Sequence, residues 1–293
     1  MSRRFYKAFK YRFKRLPVLT SRVAERILNA APRGGVSVTL DMGLSEEQVV
    51  VEEEYAVIRG SNIRLGDLEG VLEDDRAVYV VINGSLRKLA WYSAGSYYKL
   101  RCVAPVEAPT IEINGIHMHR VSGITPWRDS EAKVRLLSIR RGDRVLDVCT
   151  GLGYTAIWAL KMGADEVLSI EKDTNVLEMA CYNPWSRWLE DQRVSIILGD
   201  ASKVVEVLED RSFDKVIHDP PRLALAGELY ALSFYRELYR ILKPGGVLVH
   251  YTGRPGYRRG KDVMGGVKGR LEKAGFVAKR RPEISAVLAF KPR

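Results

Sequence analysis

The chain has 293 residues, 46% of them hydrophobic, which excludes a disordered polymer and suffices for a packed core in one large domain or two small ones. Forty-seven Lys and Arg against 36 Asp and Glu leave a formal net charge of +11, compatible with an anionic partner but no proof of one. No window approaches about eighteen uninterrupted apolar residues and no apolar signal core follows the N-terminus, so the expectation is a cytoplasmic protein that neither spans a membrane nor is secreted.

Residues 1 to 15 hold seven basic residues (Arg3, Arg4, Lys7, Lys10, Arg12, Lys14, Arg15) and no acid. Phe5, Phe9 and Phe13 recur every four residues, a spacing that predicts an amphipathic helix with an aromatic stripe and basic flanks. Three readings of this arm stay open: a stripe packed on the next domain, a phosphate-neutralising arm, and a helix on a membrane surface. From about 35 to 119 short apolar runs alternate: Val36 to Leu40, Gln48 to Glu52, Ala77 to Ile82, Leu86 to Tyr92, Tyr97 to Val103 and Thr110 to Ile113. Asn83-Gly84, Ala94-Gly95 and Asn114-Gly115 sit between them as hairpin turns, so a small antiparallel β-rich domain is expected, with a short helix over Ile63 to Leu72. His117 and His119 share one face of a predicted strand, but no acid or cysteine cluster accompanies them and no metal site is expected. Trp127 is a candidate for lining a pocket or capping a core.

The second part of the chain changes character. Val145 to Val148 reads as a buried parallel strand, Cys149 to Gly153 as a tight loop, and Tyr154 to Met162 as a helix leaving it. Gly151 and Gly153 let the backbone turn with positive φ and let a ligand approach it closely, beside the unpaired N–H groups of a helix N-terminus. A second strand ends in Glu171, twenty residues after Gly151, where a carboxylate can accept ribose hydroxyl protons. A third ends at Asp200, a fourth at Asp219-Pro220-Pro221-Arg222, and a fifth follows Lys243-Pro-Gly-Gly246. Polar residues at successive strand ends describe a doubly wound α/β sheet with its ligand along the carboxyl edge. Pro184 should end the helix after Glu171, leaving Trp185, Arg187 and Trp188 as a packed corner or a stacking surface. A helix from about Asp262 to Ala274 and an antiparallel strand pair, Phe276 to Lys279 and Ala286 to Lys291, should close the chain, with basic clusters at Arg258 to Lys261 and Lys279 to Arg281.

These motifs resemble those of the class I S-adenosylmethionine (SAM)-dependent methyltransferases over roughly residues 120 to 293. The resemblance implies a mostly parallel, seven-stranded sheet preceded by the β-rich domain of residues 1 to 119. It implies SAM as cofactor, with Asp147, Gly151 and Gly153 at its methionine part, Glu171 at its ribose and Asp200 beside its adenine. The positions expected to line that site are then Asp147, Cys149, Thr150, Gly151, Gly153, Tyr154, Glu171, Lys172, Asp200 and Ala201. As a whole the chain is most similar to an archaeal group of predicted methyltransferases, a likeness that Ile116-His-Met-His-Arg-Val-Ser-Gly-Ile-Thr-Pro-Trp127 shares. The scarcity of glutamine, found only at Gln48 and Gln192, fits a protein from a hot environment.

In amino-methyltransferases resembling this chain, an Asp/Asn-Pro-Pro-aromatic loop after strand four binds the target amine. Asp219, Pro220 and Pro221 match that loop, and Arg222 replaces the aromatic; a guanidinium can stack on a base or pair with a phosphate or carboxylate. Cys102, Cys149 and Cys181 fit no disulfide framework or zinc spacing, and none lies in this loop to serve as a nucleophile for cytosine carbon. The expectation is methyl transfer to an amine held by Asp219 on a structured RNA, with a protein side chain or a small anionic metabolite left open. Gly227 to Gly246 also resembles spermidine synthase, which makes aminopropyl transfer the rival. That family surrounds its polyamine with several carboxylates, whereas this loop has Asp219 followed by Arg222. A non-catalytic RNA-binding scaffold and an NAD-dependent dehydrogenase are the remaining alternatives.

Overall fold

The computed structural model describes residues 6–31, 34–253 and 262–293. By contact the chain forms two units: one gathers the described residues of Met1–Tyr11, Arg128–Thr174 and Leu189–Arg293, the other those of Arg12–Trp127 and Asn175–Trp188.

The first unit is built, among the described residues, on one sheet of eight strands: β1 (Tyr6–Phe9), β2 (Arg144–Val148), β3 (Glu166–Glu171), β4 (Val194–Gly199), β5 (Phe213–His218), β6 (Leu242–Tyr251), β7 (Val277–Arg281) and β8 (Ala286–Phe290). Their order is β1-β4-β3-β2-β5-β6-β8-β7. The five central strands are parallel, and β8, β7 and β1 are antiparallel additions at the two sides. Leu146, Val148, Leu168, Ile170, Val216 and Leu248 are buried together, as near-continuous apolar strands covered on both faces should be. The chain reverses its winding between β2 and β5, so the crevice outside their carboxyl ends is the switch point at which such sheets bind ligands.

The sheet has eight strands where seven were expected, and the extra one corrects the reading of the arm. Residues 6 to 9 are extended and pair with β4, Tyr6 opposite Gly199 and Phe9 opposite Ile196, rather than forming a helix. An edge strand offers a row of unsatisfied backbone groups, and pairing with it outweighs the weak helical preference of a short segment. Gly199 is needed there, because a Cβ at that position would come within 2.7 Å of the Tyr6 Cβ. Phe5, Arg3 and Arg4 lie outside the described residues, as do Arg258 to Lys261.

Among the described residues the second unit has three small sheets, antiparallel throughout. Asn83-Gly84, Ala94-Gly95 and Asn114-Gly115 all adopt positive φ at both residues, the geometry of tight hairpin turns. The run Leu86 to Tyr92 splits at the buried Leu89 into Ser85–Lys88 and Ala90–Ser93, which join different sheets. Helix Leu65–Leu72 falls where a short helix was expected. Trp127 packs edge-on against Trp185 at 5.2 Å between ring centroids, and the Trp185 indole donates to the Met42 carbonyl at 3.1 Å. Trp188, by contrast, is exposed, with the Arg187 guanidinium 5.6 Å from its ring. The two histidines of the predicted strand take separate partners, His117 beside Glu112 and His119 beside Thr110. Among the described residues no helix is long and apolar enough to cross a membrane.

Candidate active site

The loop after β2 turns where the sequence places its glycines. Cys149, Gly151 and Gly153 have φ of 71°, 54° and 80°. The Cys149 and Thr150 N–H groups both donate to the Ile170 carbonyl at 3.0 Å, which ties the loop to the end of β3. Gly153 is the left-handed N-cap of helix Tyr154–Lys161. Tyr154 and Thr150 are buried, and burial pushes the half-buried Cys149 thiol well above its ordinary value, so it is no thiolate nucleophile.

Asp147 lies on β2, two residues before this loop. It is wholly buried; one carboxylate oxygen accepts from Thr155 Oγ1 at 2.8 Å and the other from Ser169 Oγ at 2.6 Å. Ser169 Oγ is also 2.6 Å from Thr150 Oγ1, so strand, loop and helix are joined through one hydroxyl network. Burial raises its pKa to about 7, with the two hydroxyls pulling the other way. A carboxyl that titrates near 3.8 in the unfolded chain and near 7 in the folded one keeps its proton longer in the native state. Stability must therefore fall as pH rises between those values. Asp147→Asn should remove that slope: between pH 5 and pH 8, urea unfolding should show the variant gaining on the parent by on the order of 2 kcal/mol.

Glu171 closes the loop from the side. Its Oε2 accepts the Gly151 N–H at 3.0 Å, and Oε1 accepts the N–H groups of Lys172 at 2.9 Å and Asp173 at 3.0 Å. Burial raises its pKa and the three N–H donors oppose that shift. Both lone pairs of Oε1 are taken, and Oε2 retains one for a ribose hydroxyl. Lys172 is exposed. At the end of β4, Asp200 caps the short helix Ala201–Val204, accepting from the Ser202 N–H at 2.9 Å and hydroxyl at 2.7 Å, and Ala201 is buried behind it.

Asp219 follows β5 on the other side of the switch point, its N–H 3.4 Å from the Val148 carbonyl. Its side chain is 19% exposed, and Oδ2 accepts from Lys133 Nζ at 2.7 Å. Lys133, on helix Pro126–Arg135, was missed in the sequence. It is 3% exposed, lies 2.8 Å from Asp129 as well, and sits 3.6 Å above the Tyr251 ring. Burial works against its charge, but Asp219 and Asp129 outweigh it and hold the ammonium above its ordinary pKa. Burial likewise pushes Asp219 up, against the pull of Lys133. Asp129 and Lys133, one helical turn apart, were the available signal, but that spacing is common on solvated faces. Pro220 is buried, the Pro221 carbonyl accepts from the Tyr230 hydroxyl at 2.9 Å, and the exposed Arg222 closes a turn by accepting the Leu225 N–H at 2.7 Å. The loop is thus stiffened on both sides of its prolines.

Immediately behind it, His218 and His250 face each other on adjacent strands with their Nδ1 atoms 2.5 Å apart. Burial holds His218 down at about 3 and His250 well below its ordinary value. The pair is neutral, one Nδ1–H donating to the other ring.

A family model described as a methyltransferase domain matches residues 145–246, from β2 through the Asp219 loop to the start of β6. The chain belongs to the SAM-dependent methyltransferases. This methyltransferase is 44% identical to an uncharacterized protein, MJ1233, of Methanocaldococcus jannaschii over 94% of this chain and 96% of that one, and belongs to its family. It is 29% identical over half its length to ribosomal RNA large subunit methyltransferase I of Aeromonas salmonicida, and spans 41% of that enzyme. A spermidine synthase from Thermotoga maritima shares the fold at a TM-score of 0.54 and 21% identity, over 70% of this chain and 73% of that one. The cofactor is SAM. The acids at the ends of β3 and β4 suit its hydroxyls and amine groups, the positive-φ glycines the close approach of its chain, and the helix N-terminus its carboxylate.

Glu171→Ala should weaken SAM binding by at least about tenfold, as loss of one charge-assisted hydrogen-bonding group does. Calorimetric titration gives the answer; unchanged affinity would place the ribose elsewhere.

Proposed function

We propose that this methyltransferase moves the methyl group of SAM to a nitrogen that Asp219 holds, on a structured RNA. One observation carries the nitrogen: Asp219 keeps one carboxylate oxygen, Oδ1, without a hydrogen bond among the described residues, at the switch point, on a loop stiffened by two prolines. When bound, SAM supplies an electrophilic sulfonium methyl; the nitrogen lone pair forms the new N–C bond as the S–C bond breaks, and the nitrogen gives up a proton. Asp219 accepts an N–H of the acceptor, which turns the lone pair towards the methyl group, and is placed to receive that proton. Pro220 and Pro221 limit the angular freedom of the carboxylate, and in-line displacement rewards such orientation. Glu171, Asp200 and the glycine loop hold the cofactor against it.

The RNA part rests on charge and likeness. Lys7, Lys10 and Arg12 are exposed, as is Arg15, which also reaches the Phe13 carbonyl and ring, whereas Lys14 is engaged by Glu178 and the Tyr182 ring. The similarity to a ribosomal RNA methyltransferase points the same way. Deleting the arm would remove β1 along with the charges, so neutralising substitutions are the cleaner probe. Replacing Lys7 and Lys10 by Gln should lower the slope of log affinity against log salt by about one for each phosphate that these lysines neutralise. An unchanged slope would show that the two lysines touch no phosphate.

Methyl-labelled SAM, incubated with separated RNA, protein and metabolite pools from the source organism, tests the reading. Label is expected in RNA as an N-methylated nucleoside. Label confined to protein or metabolites would refute the RNA assignment, and turnover of decarboxylated SAM in preference to SAM would favour aminopropyl transfer.

A further inference from the structure

The loop that carries Asp219 can be anchored in few ways. Pro220 and Pro221 have no N–H, so over these two residues the backbone can be held only through its carbonyls. The Asp219 N–H makes a long contact, 3.4 Å to the Val148 carbonyl. A shorter anchor comes from a side chain: the Tyr230 hydroxyl donates to the Pro221 carbonyl at 2.9 Å. Tyr230 is 2% exposed, and its ring stands edge-on to His250 with centroids 4.9 Å apart. His250 is tied through Nδ1 to His218, the residue that precedes Asp219. The path from His218 through His250 and Tyr230 to Pro221 is therefore closed, and both ends of the loop are held by one buried cluster.

A carboxylate is aimed by two things, the backbone that carries it and the partner of its other oxygen. Lys133 takes Oδ2 of Asp219. The backbone is the remaining freedom: proline fixes φ but not ψ, so an untied peptide plane at Pro221 would let the loop rock, and a hydrogen bond to its carbonyl removes that motion. Burial, reinforced by Tyr235 and Asp219, pushes the Tyr230 phenol above its ordinary value, so it remains a donor. We propose that Tyr230 is a positioning residue for methyl transfer, whose hydroxyl acts through the Pro221 carbonyl to keep Asp219 Oδ1 aimed at the acceptor nitrogen. The proposal rests on the reading of Asp219 given above and adds the group that aims it. In-line transfer loses about a hundredfold for a misplacement of about 1 Å, so loss of this anchor should cost about tenfold.

Tyr230→Phe keeps the ring and removes the hydroxyl. Single-turnover methyl transfer from labelled SAM, run over a range of concentrations of the RNA pool from the source organism, gives a maximal rate and a half-saturating amount. The maximal rate should fall about tenfold, with the half-saturating amount and the calorimetric affinity for S-adenosylhomocysteine each within about twofold of the parent. A cycle with Asp219→Ala separates aiming from packing: in that background Tyr230→Phe should change the rate by no more than about twofold, because no carboxylate is left to aim. A tyrosine that only packs the core would cost the same factor in both backgrounds. That result overturns the proposal, as does a maximal rate within about twofold of the parent in Tyr230→Phe alone, or a loss of S-adenosylhomocysteine affinity that matches the loss of rate. If Asp219→Ala leaves the rate intact, the reading of Asp219 fails and the proposal with it. Label entering a different pool refutes the RNA assignment alone, and the same cycle on that pool decides the role of Tyr230.

Discussion

Asp219→Ala is expected to reduce methyl transfer by about 10²–10³-fold while leaving SAM affinity within about twofold. The asymmetry follows from position. Asp219 follows β5 and is proposed to hold the acceptor, whereas the groups assigned to the cofactor follow β2, β3 and β4. Removing its carboxylate leaves Lys133 paired with Asp129, so the buried ammonium keeps a counter-ion and the unit should still fold. Single-turnover kinetics with labelled SAM, beside a calorimetric titration, separates the two effects. Turnover within about threefold of the parent would show that another group orients the acceptor. A fall in SAM affinity matching the fall in rate would show that Asp219 belongs to the cofactor site instead.

Gly153→Ala should destabilise the first unit by about 2–5 kcal/mol. The residue sits at φ 80°, where a side chain strains the backbone. A Cβ there would also come within 2.4 Å of Leu189 Cδ1 and 2.7 Å of Leu189 Cγ. Leu189 is itself buried and cannot swing aside without displacing its neighbours. Urea unfolding measures the loss. A paired Leu189→Ala change should return part of it, because it removes the clash and leaves the φ strain; full additivity of the two costs would mean that the clash does not limit the substitution.

The site was legible to different depths. Glu171, Asp200 and Asp219 could be placed on one edge because each ends a short apolar run, and parallel strands with regular connections put such ends side by side. The glycine loop was legible because positive φ and close packing leave few alternatives to glycine. Asp147 was visible as a residue, but its burial was not: whether an acid on such a strand faces a ligand or a hydroxyl network depends on Thr155 and Ser169, which neighbouring elements deliver. Lys133 was invisible as the partner of Asp219. It lies 86 residues from Asp219, and nothing local distinguishes it from a solvated lysine.

What the sequence by itself determined is the alternation of apolar runs, glycine turns and terminal acids that makes a doubly wound sheet with a nucleotide-binding edge. Those are properties of local stereochemistry and hydrophobic period, and they survive without knowledge of neighbours. Only the tertiary structure decided that residues 6 to 9 become an eighth strand, because the unpaired edge of β4 and the bare backbone at Gly199 are what the segment responds to. It alone decided that His218 and His250 form a neutral buried pair, and that Asp219 is partnered by Lys133. Charge and protonation depend on burial and on groups brought from distant parts of the chain, so they are written in the packing and not in any one stretch of residues.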